Sequence, residues 1–135
     1  MAIDYGQKRT GIAVTDPLKI IASSLATVNT HEIFSFLDSY LDKEKVELLV
    51  LGYPRQMNNK DSESFKYVKQ FEIAFSRKYP GIKIVFEDER FTSSIAAKAM
   101  VEGGMKKSER KKKENLDKIS AAIILQSYMQ RIENL

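Results

Sequence analysis

Two short apolar runs separated by a glycine-flanked turn open the chain, and a carboxylate stands where the first run ends. Met1-Ala2-Ile3 leads straight into Asp4, Gly6 and Gly11 bracket the polar residues Gln7 to Thr10, and Ile12-Ala13-Val14 follows. This pattern predicts a β-hairpin with Asp4 at the end of its first strand. A carboxylate in that position is held at the edge of a core, where desolvation is costly unless a cation pairs with it. Two further acidic sites, Asp88-Glu89 and Asp117, supply the remaining ligands of such a cation cage.

The rest of the chain alternates helical and extended signals. Asp16-Pro17 breaks the hairpin, and Ile20-Ile21-Ala22 with Leu25 to Val28 predicts one or two further short strands. Thr30 is the expected cap of a helix over 31–43, where Ile33, Phe34, Leu37, Tyr40 and Leu41 recur at helical spacing. The compact apolar run 46–51 reads as a strand buried on both faces. A second helix is expected after Asp61 or Ser62, with Phe65, Val68, Phe71 and Phe75 as its buried stripe, and Pro80-Gly81 stops it. The run 82–86 is another buried strand, entering Glu87-Asp88-Glu89-Arg90. A third helix is expected through Ala96, Ala97 and Met100, stopped by Gly103-Gly104. A last one covers about 116–132, with Ile119, Ile123, Ile124 and Tyr128 inward. The order β-β-β-α-β-α-β-α-α implies an α/β fold: a mixed five-stranded sheet, three antiparallel strands then two parallel ones, with helices on both faces. At 135 residues, with no internal repeat, one domain over 1–135 is expected. In that arrangement Asp4, the Asp88-Glu89 pair and the start of the last helix converge at one end of the sheet.

Composition removes several alternatives. There is no cysteine, so disulfides and thiolate metal sites are excluded. No run approaches the roughly 20 apolar residues of a membrane helix, and no signal-peptide pattern opens the chain, so a cytoplasmic protein without a membrane partner is expected. The net charge of +4 is concentrated. Lys106, Lys107, Arg110, Lys111, Lys112 and Lys113 stand beside the single acid Glu109, immediately before Asp117. A basic run in that place points to a polyanion such as nucleic acid. Lys8 and Arg9, in the turn after Asp4, would flank a bound phosphate. Arg90 serves either an ion pair with a neighbouring acid or a phosphate clamp. Tyr5 and Tyr53 alone do not make a base-stacking platform. The single histidine, His31, is placed on the surface, and Ser93 or Ser94 suits a helix cap better than a nucleophile.

Phosphodiester hydrolysis needs an attacking water, charge stabilisation in the transition state and help for the leaving oxygen, and two divalent ions about 3.5–4 Å apart supply all three. Mg²⁺ and Mn²⁺ take oxygen ligands, which suits a set of carboxylates from separate elements. Asp4 would bridge, Asp88 or Glu89 would add a second ligand, and Asp117 a third. Alternation does not choose between Asp88 and Glu89; the longer arm of Glu89 favours it as the metal ligand.

The stretches Asp4 to Val14, Leu51-Gly52-Tyr53-Pro54, Asp88-Glu89-Arg90-Phe91-Thr92-Ser93 and Asp117 to Gln126 resemble, in order, the four motifs of the YqgF family. These are small proteins similar to Holliday-junction resolvases and associated with pre-16S ribosomal RNA. The resemblance covers essentially the whole chain. It implies a ribonuclease-H-like fold, with Asp4, the Asp88-Glu89 pair and Asp117 at the family's acidic positions. Tyr53 departs from the usual leucine, and 56–61 lacks the usual Asp-Gly. The strand before Asp4 is shorter than usual, so an upstream start is expected.

The expected function is therefore a Mg²⁺- or Mn²⁺-dependent nuclease acting on structured RNA, with maturation of the 5′ end of pre-16S rRNA in ribosome biogenesis as the leading substrate. The same chemistry suits a Holliday-junction DNA resolvase, and a non-catalytic RNA-binding ribosome-assembly factor is the alternative outside enzymology. The expected partners are an RNA precursor first, branched DNA second, and the ribosomal particle, for a monomer or a homodimer. A nucleotide-binding protein of the actin and sugar-kinase type, whose phosphate site also opens on an Asp-x-Gly hairpin, needs two such domains, and the chain has length for one.

Overall fold

A computed structural model describes residues 1–16, 18, 21–53, 63–88 and 113–133, with side chains described for 1–16, 18, 21–53, 65–88 and 120–132. The expected helix through Ala96 to Met100 and the expected caps Asp61 and Ser62 lie outside the described residues. The elements are β1 (Ala2–Tyr5), β2 (Arg9–Thr15), β3 (Ala22–Asn29), α1 (Ile33–Lys43), β4 (Leu48–Tyr53), α2 (Glu63–Lys78), β5 (Lys83–Asp88) and α3 (Lys113–Glu133).

The five strands form one sheet in the order β3-β2-β1-β4-β5. β1 is antiparallel to β2, with Asp4 opposite Gly11. β2 is antiparallel to β3, which is a single strand. β4 lies parallel to β1, and β5 parallel to β4. The mixed sheet of three antiparallel and two parallel strands is thus the one expected, and β1 is its central strand.

Alternation along the strands makes two unlike faces. Ile3, Ile12, Leu49 and Leu51 pack on one side with Ile33 and Leu37 of α1 and with Val68, Phe71 and Phe75 of α2. Ala2, Ala13 and Val50 pack on the other side with Ala121, Ile124, Leu125 and Met129 of α3. Small residues in the sheet and Ala121 in the helix let the two backbones approach closely. The tyrosines near the motifs belong to the aromatic side: the Tyr5 ring stacks on Phe71 at 4.7 Å, and Tyr53 meets Phe65 edge-on at 4.6 Å. Both rings pack against aromatic side chains of α2.

The hairpin turn is fixed from outside. A Cβ on Gly6 would run into the carbonyl oxygen of Arg9, a backbone atom that has nowhere to go, so the position takes only glycine. Thr30 does not cap α1. It lies in a short 3-10 turn (Thr30–Glu32) ahead of that helix, and its backbone N–H donates to the Lys8 carbonyl at 3.0 Å. Its hydroxyl donates to the Gly6 carbonyl at 2.6 Å. With that proton spent, the Thr10 hydroxyl is the donor in the 2.9 Å contact between the two buried threonines. A tertiary acceptor outcompetes the local capping role, because both groups would otherwise be buried without partners.

Candidate metal and nucleic-acid site

The C-terminal ends of β1, β4 and β5 point the same way, and ligands of open α/β sheets gather at such ends. Asp4 stands there on the central strand, half-buried. The register Ile3 with Leu51 carries Asp4 to the level of Gly52, and Gly52 pairs with Glu87. The row Asp4, Gly52, Glu87 thus crosses three strands, about 10 Å from end to end at the usual strand spacing. All three positions share the pleat of Ala2, Val50 and Val85, which is the α3 side. Gly52 leaves that row without a side chain between two acids.

Asp88 ends β5 opposite Tyr53, half-buried, on the pleat of Ile84 and Phe86, the aromatic side. It reaches the same sheet end as Asp4 but from the other face. Glu89 and Arg90 lie outside the described residues. Position 117 lies in α3, one helical turn before Ala121, which is fully buried against the sheet. Its side chain lies outside the described set. Lys8 is exposed in the hairpin turn and Arg9 is half-buried at the start of β2. Of the basic run, Lys113 is the first residue of α3, and Lys106, Lys107, Arg110, Lys111 and Lys112 lie outside the described residues. His31 is on the surface, its side chain 77% exposed.

Glu87 was not distinguishable in the sequence from the acidic strand end it belongs to. It is buried, and its carboxylate is held by α3: the Ser127 hydroxyl donates to one oxygen at 3.2 Å, and Arg131 donates to the other from Nη2 at 2.7 Å and Nε at 3.2 Å. The Glu87 carboxylate in turn raises the Arg131 pKa, first through the hydrogen bond and then through charge. The only local hint was Ser and Arg four residues apart on the last helix, a spacing that puts both on one face.

Divalent ions of the magnesium type need several hard oxygens. Among the described residues no three His, Cys, Asp or Glu side chains are grouped to hold one. The donor chemistry nevertheless fits: Asp4 is a carboxylate oxygen donor on the central strand, and Glu89 and Asp117 are the other members of the expected set.

A family model described as "RuvX: Holliday junction resolvase" matches residues 1–131. The chain belongs to the RuvX family. This is the family also called YqgF, whose motifs the sequence resembles. A protein of Phocaeicola vulgatus named "Putative pre-16S rRNA nuclease" is 51% identical over 130 residues, 96% of this chain and 94% of its own length. A Porphyromonas gingivalis protein of the same name is 50% identical over 129 residues, again 96% and 94%. RuvX thereby extends over nearly the whole chain. Solved structures agree on the fold: Thermus thermophilus RuvC superposes with a TM-score of 0.56 at 13% identity, covering 97% of this chain and 94% of that one. The fowlpox virus resolvase, solved with Holliday-junction DNA, gives 0.56 at 14% identity, covering 96% and 95%. Among the described residues of this RuvX chain, no helix is long and apolar enough to cross a membrane.

Proposed function

We propose that this RuvX chain is a divalent-metal-dependent nuclease of structured RNA, acting in the cytoplasm as one domain on the 5′ end of pre-16S rRNA. The observation that carries the reading is Asp4 on the central strand, at the ligand-binding end of the sheet and on the face covered by the helix that bears position 117. The names of the relatives at 50% and 51% identity support the substrate.

Asp4, Glu89 and Asp117 are the carboxylates that would hold Mg²⁺ or Mn²⁺, whose chemistry there would be to activate water and offset charge on the phosphate. Glu89 is preferred to Asp88 for its longer arm, and because Asp88 falls on the aromatic pleat, away from the face of Asp4. The rigid hairpin, fixed by Gly6 and Thr30, keeps Asp4 in place and sets Lys8 beside the scissile phosphate. Arg9 adds positive charge at the same end, and Arg90 is the further cation of the expected set. The basic run up to Lys113 grips the strand by neutralising phosphates. If about five are neutralised, log K falls with log salt at a slope near −3.5 on single strands.

Cleavage of a branched DNA junction is the second reading, favoured by the resemblance of the fold to two resolvases. Two symmetric cuts would require a homodimer. A salt-matched panel of pre-16S RNA and a four-way DNA junction, with Asp4→Asn as the control, separates the two. Metal-dependent cutting of the RNA alone, abolished by Asp4→Asn, is the expected result. Preference for the junction transfers the assignment to a resolvase. Tight RNA binding with no cutting under any divalent metal leaves an assembly factor and removes the enzyme.

A further inference from the structure

The helix that bears position 117 is poorly fixed by its own hydrophobic pattern. Ala121, Ile123, Ile124, Leu125 and Met129 are all buried. At the 3.6 residues per turn of an α-helix they spread over about 240° of the circumference. An apolar stripe normally sets the rotation of a surface helix because it is narrower than that. Burial alone therefore sets the rotation of α3 only coarsely, and rotation matters for a residue expected to meet Asp4.

A polar contact supplies what the apolar pattern lacks. Positions 117, 120, 124, 127 and 131 form one stripe on α3, three and four residues apart by turns. Ile124 on that stripe is buried, and Ser127 and Arg131 on it grip the Glu87 carboxylate. Glu87 lies on the row of Asp4 with only Gly52 between them. Two directional contacts from one helix to one carboxylate define both its rotation and its sliding position. A helix is stiff over the roughly 21 Å from residue 131 back to residue 117, so a change of rotation at one end reappears at the other.

We propose that Glu87 is a positioning residue of the nuclease centre: through Ser127 and Arg131 it sets the rotation and register of α3, and so the placement of Asp117 relative to Asp4. The inference rests on the reading of Asp4 and Asp117 as metal-holding carboxylates. Arg131 is the better handle, because its side chain is 53% exposed and its replacement opens no cavity, whereas that of Glu87 is only 9% exposed.

The test is a Mn²⁺ titration of the full ¹⁵N-labelled chain, read as paramagnetic broadening of the Asp4 and Asp117 backbone amides. In the wild type both amides broaden together. In Arg131→Gln and Glu87→Gln the apparent Mn²⁺ affinity falls about 10-fold, the scale of losses when a group supporting a metal ligand is removed. The Asp117 amide then broadens less than that of Asp4. Arg131→Lys, which keeps the charge, recovers most of the loss. In a cleavage assay under saturating metal, kcat falls while KM stays put. Folded Arg131→Gln with wild-type Mn²⁺ affinity and equal broadening at both amides overturns the inference, even if Glu87→Gln does not fold. If the wild type shows no broadening at Asp4, it is the metal reading that fails. The Asp117 amide shift then decides the inference alone, and an unmoved shift in Arg131→Gln overturns it.

Discussion

The two faces of the sheet are built from alternate residues of the same strands, yet they differ in kind. Towards α1 and α2 the strands present Ile3, Ile12, Leu49 and Leu51, met by Phe71 and Phe75. Towards α3 they present Ala2, Ala13, Val50 and Gly52, and the polar groups Asp4 and Glu87 stand among them. Large side chains interdigitating on one face contribute most of the transfer free energy. Small ones on the other face bring a helix close, and directional contacts from Ser127 and Arg131 to Glu87 add to its placement. Under the proposed reading, stability and site geometry are separated by the pleat, one residue apart in sequence.

Substitutions can break this division or sharpen it. The largest effect is expected from Asp4→Asn, which should lower metal-dependent cleavage by roughly 10³-fold or more, with the urea midpoint almost unmoved. Loss of stability without loss of activity per folded molecule would contradict it. Phe75→Ala, on the aromatic face, should cost about 3–5 kcal/mol by urea unfolding, while cleavage by the folded fraction at low temperature stays at the wild-type rate. Ala121→Leu tests the close-packed face: overpacking should cost about 1–3 kcal/mol, and cleavage should fall further than the lost folded fraction accounts for, since α3 is pushed off the sheet. Equal activity per folded molecule would show that helix placement is not critical.

The smallest effect is expected at the surface. Lys78 and Tyr79 of the α2 end both donate to the Asp38 carboxylate of α1, and these hydrogen bonds hold its pKa below the ordinary value. A carboxylate acidified in the fold stabilises above its unfolded pKa, near 3.9, and loses that contribution as pH falls through the lower folded value. Asp38→Asn should therefore show a slightly lower unfolding midpoint than the wild type at pH 7, with the difference closing below about pH 4. A difference that persists in strong acid would point to packing instead.

The sequence made the sheet legible because each strand carries its own signal: a hairpin turn, two apolar runs and helices between them. Asp4 was legible for the same reason, as a charge ending an apolar strand. Helix α3 was legible in position but not in rotation, because apolar residues surround its middle. Thr30 read as a cap and turned out to serve Gly6 and Thr10, partners 24 and 20 residues away. Glu87 was hidden for a like reason: its partners sit 40 and 44 residues on, and nothing local distinguishes a gripped acid from a solvated one.

The threonine pair at the hairpin has one more consequence. The turn behind Asp4 and the entry to α1 share a single hydrogen-bonded knot, so neither can open without the other. Amide protons at the two places should exchange with solvent as one cooperative unit, at a rate set by whole-molecule opening rather than by fraying of the loop.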